Sequence, residues 1–191
     1  IAQLNQLKAI VLDLLFPAFG VNCGQIIKLP GEIFLCQDCF SKIKFLQNPV
    51  CRKCGKPGCI DLCTECRKTT PLYAMARASA LYEGVLRTCI HNFKYKRQMY
   101  LAKTLGNLLR VSLKEFRELS GFNIIVPVPL HRKRKRERGF NQSLLLAKEI
   151  GKLYGSEISA GNLTRNRITA PQTELSRSER IKNVKGIFSV N

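Results

Sequence analysis

Apolar residues recur at helical spacing in three segments of the chain. Between residues 3 and 16 they stand at positions 4, 7, 10, 11, 14 and 15, and Pro17 ends the pattern. This spacing predicts an amphipathic helix over residues 1–17, whose apolar face would dock either on the rest of the chain or on a partner. Two further segments, residues 86–93 and 101–113, show the same spacing and predict two more helices.

A different pattern, in which small and large side chains alternate, predicts strands. Residues 73–82 alternate alanines with larger residues, and residues 186–190 form a short apolar segment. Residues 163–167 predict the start of another strand, and Ser176 with Glu179 predicts the capping box of a short helix. Strands that alternate with helices predict an α/β domain with a largely parallel sheet over residues 71–191.

The segment around which this domain is organised is residues 123–143. Three apolar residues at 124–126 predict a buried strand, prolines at 127 and 129 follow it, and a run with six cations extends from Arg132 to Arg138. An amphipathic helix is predicted immediately afterwards. A strand that leads through cations into a helix is the layout of an anion site at the carboxyl edge of a sheet. The alternative is a solvated charged loop that binds nothing.

Positive charge is concentrated in the same part of the chain. The sequence carries 32 Lys/Arg against 13 Asp/Glu, and residues 67–191 account for 25 against 8. Such a surplus favours nucleic acid, phosphorylated metabolites or anionic surfaces as partners without choosing among them. No apolar segment reaches membrane-spanning length and no secretory leader pattern is present, so a cytoplasmic location is expected.

Cysteines mark a separate module over residues 18–70. Eight of the nine lie between Cys23 and Cys66, and their CxxC spacing suits metal binding in a reducing compartment. One complete set of thiolates, enough for a closed structural zinc site, is expected: Cys51, Cys54, Cys63 and Cys66. Gly20 stands where the first thiol of a second set would be. The second group is therefore either a three-ligand site, a site completed by Cys59, or empty: Cys23, Cys36 and Cys39.

Several short motifs, each weak alone, form a specific combination along nearly the whole chain. In chain order they are Leu15-Phe16-Pro17, Tyr82-Glu83-Gly84, Phe93-Lys94-Tyr95, Val126-Pro127-Val128-Pro129-Leu130-His131, Arg138-Gly139-Phe140-Asn141-Gln142-Ser143, Thr169-Ala170-Pro171-Gln172, Leu175-Ser176-Arg177-Ser178-Glu179-Arg180 and Asn183-Val184-Lys185-Gly186. With them the chain resembles the ComF family, the competence-associated, phosphoribosyltransferase-like proteins of bacteria. The resemblance implies an N-terminal zinc-finger module and a type I phosphoribosyltransferase-like parallel sheet with helices.

The resemblance also implies roles for particular residues. Leu130, His131 and Arg132 would form the turn that holds pyrophosphate together with Mg²⁺. The helix start that favours the same anion would contain Arg138, Gly139, Asn141 and Gln142. The mobile loop that such enzymes close over the substrate would contain Arg165, Arg167, Thr169 and Gln172. No residue is assigned a catalytic role.

Two departures from the family pattern change these expectations. The first cysteine knuckle has one thiol, Cys23, instead of two. The acidic loop that cradles the ribose phosphate in the family would follow residue 191. The chain as given is therefore expected to lack phosphoribosyltransferase activity, which belongs to the glycosyltransferase class, whereas a longer native protein would contain the loop.

Two functional hypotheses follow. The first, implied by the resemblance, is a ComF-like protein that binds phosphoribosyl pyrophosphate with Mg²⁺ and acts in DNA uptake during natural competence. The alternative is a non-enzymatic adaptor, whose zinc module and basic surface bind single-stranded DNA, a competence helicase or another DNA-processing protein. Its candidate contact residues interleave cations with an aromatic ring: Lys94, Tyr95, Lys96 and Arg97.

Overall fold

The computed structural model of the chain describes residues 19–27, 34–119 and 121–191. These residues fall into two compact units. The first, here called the cysteine unit, holds the described residues up to His91 together with residues 103–119. The second, here called the basic unit, holds residues 92–102 and 121–191. The helix predicted over residues 1–17 lies outside the described residues, and the domain boundary predicted after residue 70 stays a prediction.

Two short helices of the cysteine unit each begin at a cysteine. Helix α1 (Gln37–Ser41) follows Cys36, and helix α2 (Thr64–Lys68) follows Cys63. Both cysteines have extended backbone, with φ of −69° and −71°, so the chain enters the two helices in the same way. The two longer helices predicted from apolar spacing are confirmed as α3 (Gly84–Tyr95) and α4 (Leu101–Glu115), and a short 3-10 helix, Arg117–Leu119, follows α4.

Residues 73–82 do not form the predicted strand. Ala80 makes an isolated antiparallel bridge with Phe45, and the Ala76 N–H donates to the Lys53 carbonyl at 2.7 Å. The backbone groups of this segment thus pair with two separate loops, at residues 44–46 and at Lys53, instead of with one continuous neighbouring strand. The approach is close, because a Cβ on Gly55 would lie 2.7 Å from the Ala76 carbonyl oxygen.

Arg77 is the central polar residue of the cysteine unit. Its side chain is 6% exposed, and its guanidinium contacts the Glu118 carboxylate at 2.6 Å and lies 5.4 Å from the centre of the Phe116 ring. It also donates to the carbonyls of Cys51 and Arg52. A buried guanidinium is tolerated only when such partners replace its water. Arg77 therefore connects the cysteine loops to the end of α4 inside this unit.

The basic unit contains most of the remaining elements. They are strand β1 (Ile124–Ile125), helix α5 (Arg132–Arg138), helix α6 (Gln142–Tyr154), strand β2 (Glu157–Ile158), strand β3 (Leu163–Arg165), a 3-10 helix (Gln172–Glu174), helix α7 (Arg177–Val184) and strand β4 (Phe188–Val190). Mixed helix and strand content is thereby confirmed. The capping box of Ser176 and Glu179 at the start of α7 is confirmed as well.

The strands form two small pairs. β1 runs parallel to β2, with Ile125 opposite Ile158, and β3 runs antiparallel to β4, with Leu163 opposite Val190. A largely parallel sheet is therefore not what the described residues form, because the short helix α7 returns the chain alongside β3 in the opposite direction. The strand at 124–126 is also less buried than predicted: Ile124 is 55% exposed, since the described residues give β1 one neighbouring strand.

The basic run is a helix and not an open loop. His131 caps the start of α5, where its ring nitrogen Nδ1 accepts the Lys133 N–H at 3.3 Å, and Gly139 ends the helix in the left-handed region with φ of +83°. Arginine and lysine are good helix formers, and cations in a last turn interact favourably with the helix dipole. These local preferences give the run a regular conformation despite the repulsion between its charges.

A small apolar core joins the helices of the basic unit to its strands. The rings of Phe93 and Phe140 lie 5.4 Å apart, and Ile187 is fully buried. Gly151 of α6 faces β2 closely, because a Cβ there would lie 3.1 Å from the side chain of Ile158. Within the part of the chain that the structure describes, none of the helices combines the length and hydrophobicity that a membrane-spanning segment needs.

The hydrogen bonds of the buried Arg77 guanidinium should contribute strongly to stability. Arg77→Ala removes several hydrogen bonds at once, so the free energy of unfolding should fall by about 2–4 kcal/mol. The matched control is Lys44→Ala, which breaks an exposed pair with Glu83 and should cost less than about 1 kcal/mol. Urea unfolding of the zinc-loaded protein, followed by circular dichroism, measures both. Equal effects of the two substitutions would contradict the role assigned to Arg77.

Candidate functional site

Four thiols form a closed cluster in the cysteine unit. The sulfurs of Cys51, Cys54, Cys63 and Cys66 all lie within 4.8 Å of one another, and those of Cys54 and Cys63 are 3.7 Å apart. Zinc–sulfur bonds of about 2.3 Å place tetrahedral ligands about 3.8 Å from each other. The donor set therefore fits Zn²⁺, and four thiolates leave no position open for water, which is typical of a structural site.

Backbone amides prepare this cluster for a cation. The N–H of Cys54, followed by those of Cys63 and Lys53, lowers the pKa of the Cys51 thiol to about 6. Burial raises the pKa of the Cys66 thiol to about 12, so Cys66 by itself would stay protonated. Zinc supplies the positive charge that deprotonates such thiols.

A second group of thiols contains three members. The sulfurs of Cys23, Cys36 and Cys39 also lie within 4.8 Å of one another, and those of Cys23 and Cys36 are 3.6 Å apart. Cys59 does not complete this group, because its thiol lies outside both clusters and donates to the Pro57 carbonyl. Of the alternatives raised by the sequence, completion by Cys59 is therefore wrong.

In the basic unit, a cavity of about 700 Å³ opens beyond the ends of β1 and β2. We call it the turn cavity. Its walls come from the segment after β1, from α5, from the start of α6 and from β3, and its polar lining includes His131, Arg132, Lys135, Asn141 and Arg165. Leu130 contributes apolar surface between them. A concave site that is lined by cations at the carboxyl ends of parallel strands suits an anionic ligand.

Asn141 fixes the geometry of this cavity. Its side-chain oxygen accepts the Ser143 N–H at 3.0 Å and so caps α6, while its side-chain nitrogen donates to the Val128 carbonyl at 3.1 Å. One side chain thus joins the segment after β1 to the beginning of α6. Asn141 and Leu144 line the cavity, so the first turn of α6, with its positive dipole end, begins at this site.

A second cavity, of about 490 Å³, lies beside the first and is here called the loop cavity. Leu130, His131 and Arg165 line both cavities. The loop cavity adds four cationic or aromatic side chains, Lys94, Tyr95, Arg134 and Arg138, and the loop that follows β3, with Thr169 and Gln172. Among its lining residues, Glu174 is the one carboxylate.

The cations around the loop cavity destabilise one another. Burial and, after it, the charge of Arg138 lower the pKa of Lys94. Burial and, after it, the charge of Arg134 lower the pKa of Arg165. In addition, the buried Arg165 Nε and Gln172 Nε2 have no hydrogen-bond partner among the described residues. The cavity therefore offers uncompensated charge and unused donors, which a bound anion would satisfy.

The structure brings together most of the residues that the resemblance singled out. Those that line a cavity are Leu130, His131, Arg132, Arg138, Asn141, Arg165, Thr169 and Gln172, with Lys94 and Tyr95. Gly139 instead ends α5, Gln142 is buried and accepts from Arg138, and Arg167 is exposed and lines neither cavity.

The proposed nucleic-acid residues are divided by the fold. Lys94 and Tyr95 line the loop cavity, whereas Lys96 and Arg97 do not. Arg97 donates to the Glu137 carbonyl at 2.8 Å, and Arg138 lies 5.3 Å from the centre of the Tyr95 ring. One face of Tyr95 is thus covered by a cation and is closed to base stacking in this conformation.

Sequence reasoning missed two cations of α5, Arg134 and Lys135, because it treated the basic run as a turn. Helical periodicity would have found them. Residues 134 and 138 are four apart and face the loop cavity, whereas 132 and 135 are three apart and face the turn cavity.

Comparison with known proteins gives one matching family domain and several relatives of the chain. The family model of a double zinc ribbon domain matches residues 11–66. The DNA utilization protein YhgH of Escherichia coli strain K12 is 31% identical over 163 residues, which cover 83% of this chain and 71% of that protein. Competence protein F of Haemophilus influenzae is 28% identical over 82% of this chain and 69% of its own length, and competence protein ComFC of Bacillus subtilis is 26% identical over 59% and 50%. No solved structure matches the chain significantly. On the similarity to these relatives, the chain belongs to the ComF family.

Proposed function

We propose that the protein acts in the uptake or use of DNA, as the names of its relatives indicate for them, and that the basic unit binds phosphoribosyl pyrophosphate with Mg²⁺. The observation that carries the second part is the pair of adjoining cavities that share Arg165. Three cations, Arg132, Lys135 and Arg165, line the turn cavity, and none of the described residues that line it is a carboxylate. A ligand with several phosphate charges suits this lining, and its own oxygens would supply the magnesium ligands.

The type I phosphoribosyltransferase-like fold is part of this proposal. Its support is the parallel pair β1 and β2, with cations and a helix start at the carboxyl end of β1. In transferases of this kind pyrophosphate leaves the anomeric carbon, so positioned cations stabilise the charge that develops on it. Residues 130–132 and Asn141 would hold that group. The protein would work in the cytoplasm, where reduced cysteines can bind zinc.

The loop after β3 would close over the ligand. In the structure two side chains of α7 hold it: Arg180 donates to the Gln172 carbonyl at 2.7 Å, and Asn183 donates to the Ala170 carbonyl at 3.1 Å. Both bonds are exposed, so exchanging them for water during a loop movement costs little. Arg165 lies at the base of the loop, where it donates to Thr169 and borders both cavities.

Binding of the phosphorylated ligand can be tested within α5. Arg132→Gln removes a cation from the turn cavity, so affinity for phosphoribosyl pyrophosphate with Mg²⁺ should fall about tenfold or more, as expected for a charged hydrogen bond. Arg136→Gln is the matched control, because Arg136 lies on the same helix, is exposed and lines neither cavity. It should leave affinity within about twofold. Calorimetry measures both.

Two outcomes would contradict this proposal. The first is absence of binding by the unmodified chain to both phosphoribosyl pyrophosphate and inorganic pyrophosphate in the presence of Mg²⁺. The second is equal loss of affinity in the two variants, which would show that general positive charge and not the turn cavity binds the anion. Binding of inorganic pyrophosphate alone would support the anion site and would reject the phosphoribosyl ligand.

A second candidate function, binding of single-stranded DNA as an adaptor, rests on a different observation. Lys133 and Arg136 of α5 are exposed and line neither cavity. The basic unit as a whole carries 17 Lys/Arg against 5 Asp/Glu, a net of +12. A charged outer face of this kind contacts phosphates independently of sequence. A helicase or another DNA-processing protein could then be recruited to the bound strand.

Salt dependence separates this function from ligand binding. If the outer face of α5 contacts two phosphates, Lys133→Gln combined with Arg136→Gln should reduce the slope of log affinity against log salt by about 1.4 for single-stranded DNA. The same double substitution should leave phosphoribosyl pyrophosphate binding unchanged. Fluorescence anisotropy with a labelled oligonucleotide at several salt concentrations gives the slope. A slope that is flat, or that the substitution does not alter, would contradict DNA binding by this face.

A further inference from the structure

The cysteine unit contains the same loop twice. The first copy is residues 19–26 and the second is residues 50–57, and an isolated antiparallel bridge joins the two ends of each. In both copies the second residue donates its N–H to the carbonyl of the seventh at 2.8 Å, and the sixth donates to the second, also at 2.8 Å. The sixth residue is in both cases a glycine in the left-handed region, Gly24 with φ of +68° and Gly55 with φ of +74°.

This match pairs the metal-binding positions of the two copies. The fifth residue is a cysteine in both, Cys23 and Cys54, and each sulfur lies near that of the cysteine before a short helix, at 3.6 Å from Cys36 and 3.7 Å from Cys63. The second residue differs, because Cys51 of the second copy corresponds to Gly20 of the first.

Gly20 has no backbone reason to be glycine. Its φ lies outside the positive region, in contrast to that of Gly24, and its N–H and carbonyl make the hydrogen bonds that Cys51 makes. A Cβ at this position would lie 2.8 Å from the Cys23 sulfur. This is closer than a real Cβ comes to a neighbouring atom, so a side chain at residue 20 would begin beside the Cys23 thiol and would require that sulfur to shift. The backbone of Gly20 thus matches that of Cys51, and only the side chain differs.

The described residues offer no replacement for the missing thiol. No fourth cysteine and no histidine, aspartate or glutamate of the described ranges joins the group of Cys23, Cys36 and Cys39. The Asn22 side chain contacts the group through its Nδ2, which lies 3.7 Å from the Cys39 sulfur and donates to it. Cys23 is exposed, so solvent reaches this member of the group.

We propose that Cys23 of the first loop copy binds Zn²⁺ together with Cys36 and Cys39. The fourth ligand would come from solution, as a water molecule that a thiolate can replace. Zinc sites with three protein ligands and one open position are chemically distinct from closed four-thiolate sites, because the open position exchanges ligands. The two metal sites would then have different roles. The four-thiolate site stabilises the fold, and the three-thiolate site is an exchangeable site for a thiol-bearing small molecule.

Zinc release from the 191-residue chain tests this inference. Transfer of zinc to the chelator 4-(2-pyridylazo)resorcinol should show two phases of one equivalent each, and Cys36→Ser should remove only the fast phase. Gly20→Cys completes the first site and should slow the fast phase at least about tenfold, since even outer-shell partners change zinc affinity by that factor. Gly20→Ser is the matched control, because it adds a side chain of similar shape without a thiolate, and it should leave the fast phase unchanged.

A measurement on the unmodified chain is independent of any substitution. With Co²⁺ in place of zinc, added 2-mercaptoethanol should increase the visible absorption bands of the ion in the first site, because a thiolate replaces water. The Gly20→Cys protein should not respond. Release of one equivalent in a single phase, equal effects of Gly20→Cys and Gly20→Ser, or a cobalt spectrum that is insensitive to the thiol would each overturn the inference.

Discussion

Repulsion between like charges is the constraint on which the arrangement of the basic unit depends. Six cations lie on and beside one short helix, and Arg165 and Lys94 are held close to them. The protein tolerates this because α5 is capped at both ends by His131 and Gly139, and because four of its six cationic side chains line two separate cavities. Charge that is held in place before a ligand arrives needs no reorganisation when an anion binds. The proposed anion binding rests on these cations, which are already in position before a ligand arrives.

The segment of residues 51–66 solves a different problem, which is a shortage of apolar side chains to bury. Cys51, Cys63 and Cys66 form its small buried cluster, and the Arg77 guanidinium hydrogen-bonds to the carbonyl of Cys51. A metal ion can supply the folding energy that so small a core cannot. Because the loop is repeated, the loss of one thiol at Gly20 leaves the fold of the first copy unchanged and alters its chemistry alone.

Some predictions failed where local sequence left the partner undefined. The alternating alanines of residues 73–82 suggested a strand, yet strand formation requires a neighbour with a continuous row of free backbone groups, and the cysteine loops offer single ones. The run from Arg132 to Arg138 was treated as a charged turn, although its helix propensity is high. Charge was given more weight there than backbone preference, and two lining cations were missed as a result.

The sequence by itself determined the helices α3, α4 and α6, the capping box of α7 and the thiol sets, because each depends on residues close together in the chain. Only the tertiary structure decided which cations line a cavity, that β4 runs antiparallel to β3, and that Arg165 borders both cavities. These features depend on contacts between distant segments, which local patterns do not encode. The same holds for Gly20, whose correspondence to Cys51 depends on the matching hydrogen bonds of the two loop copies.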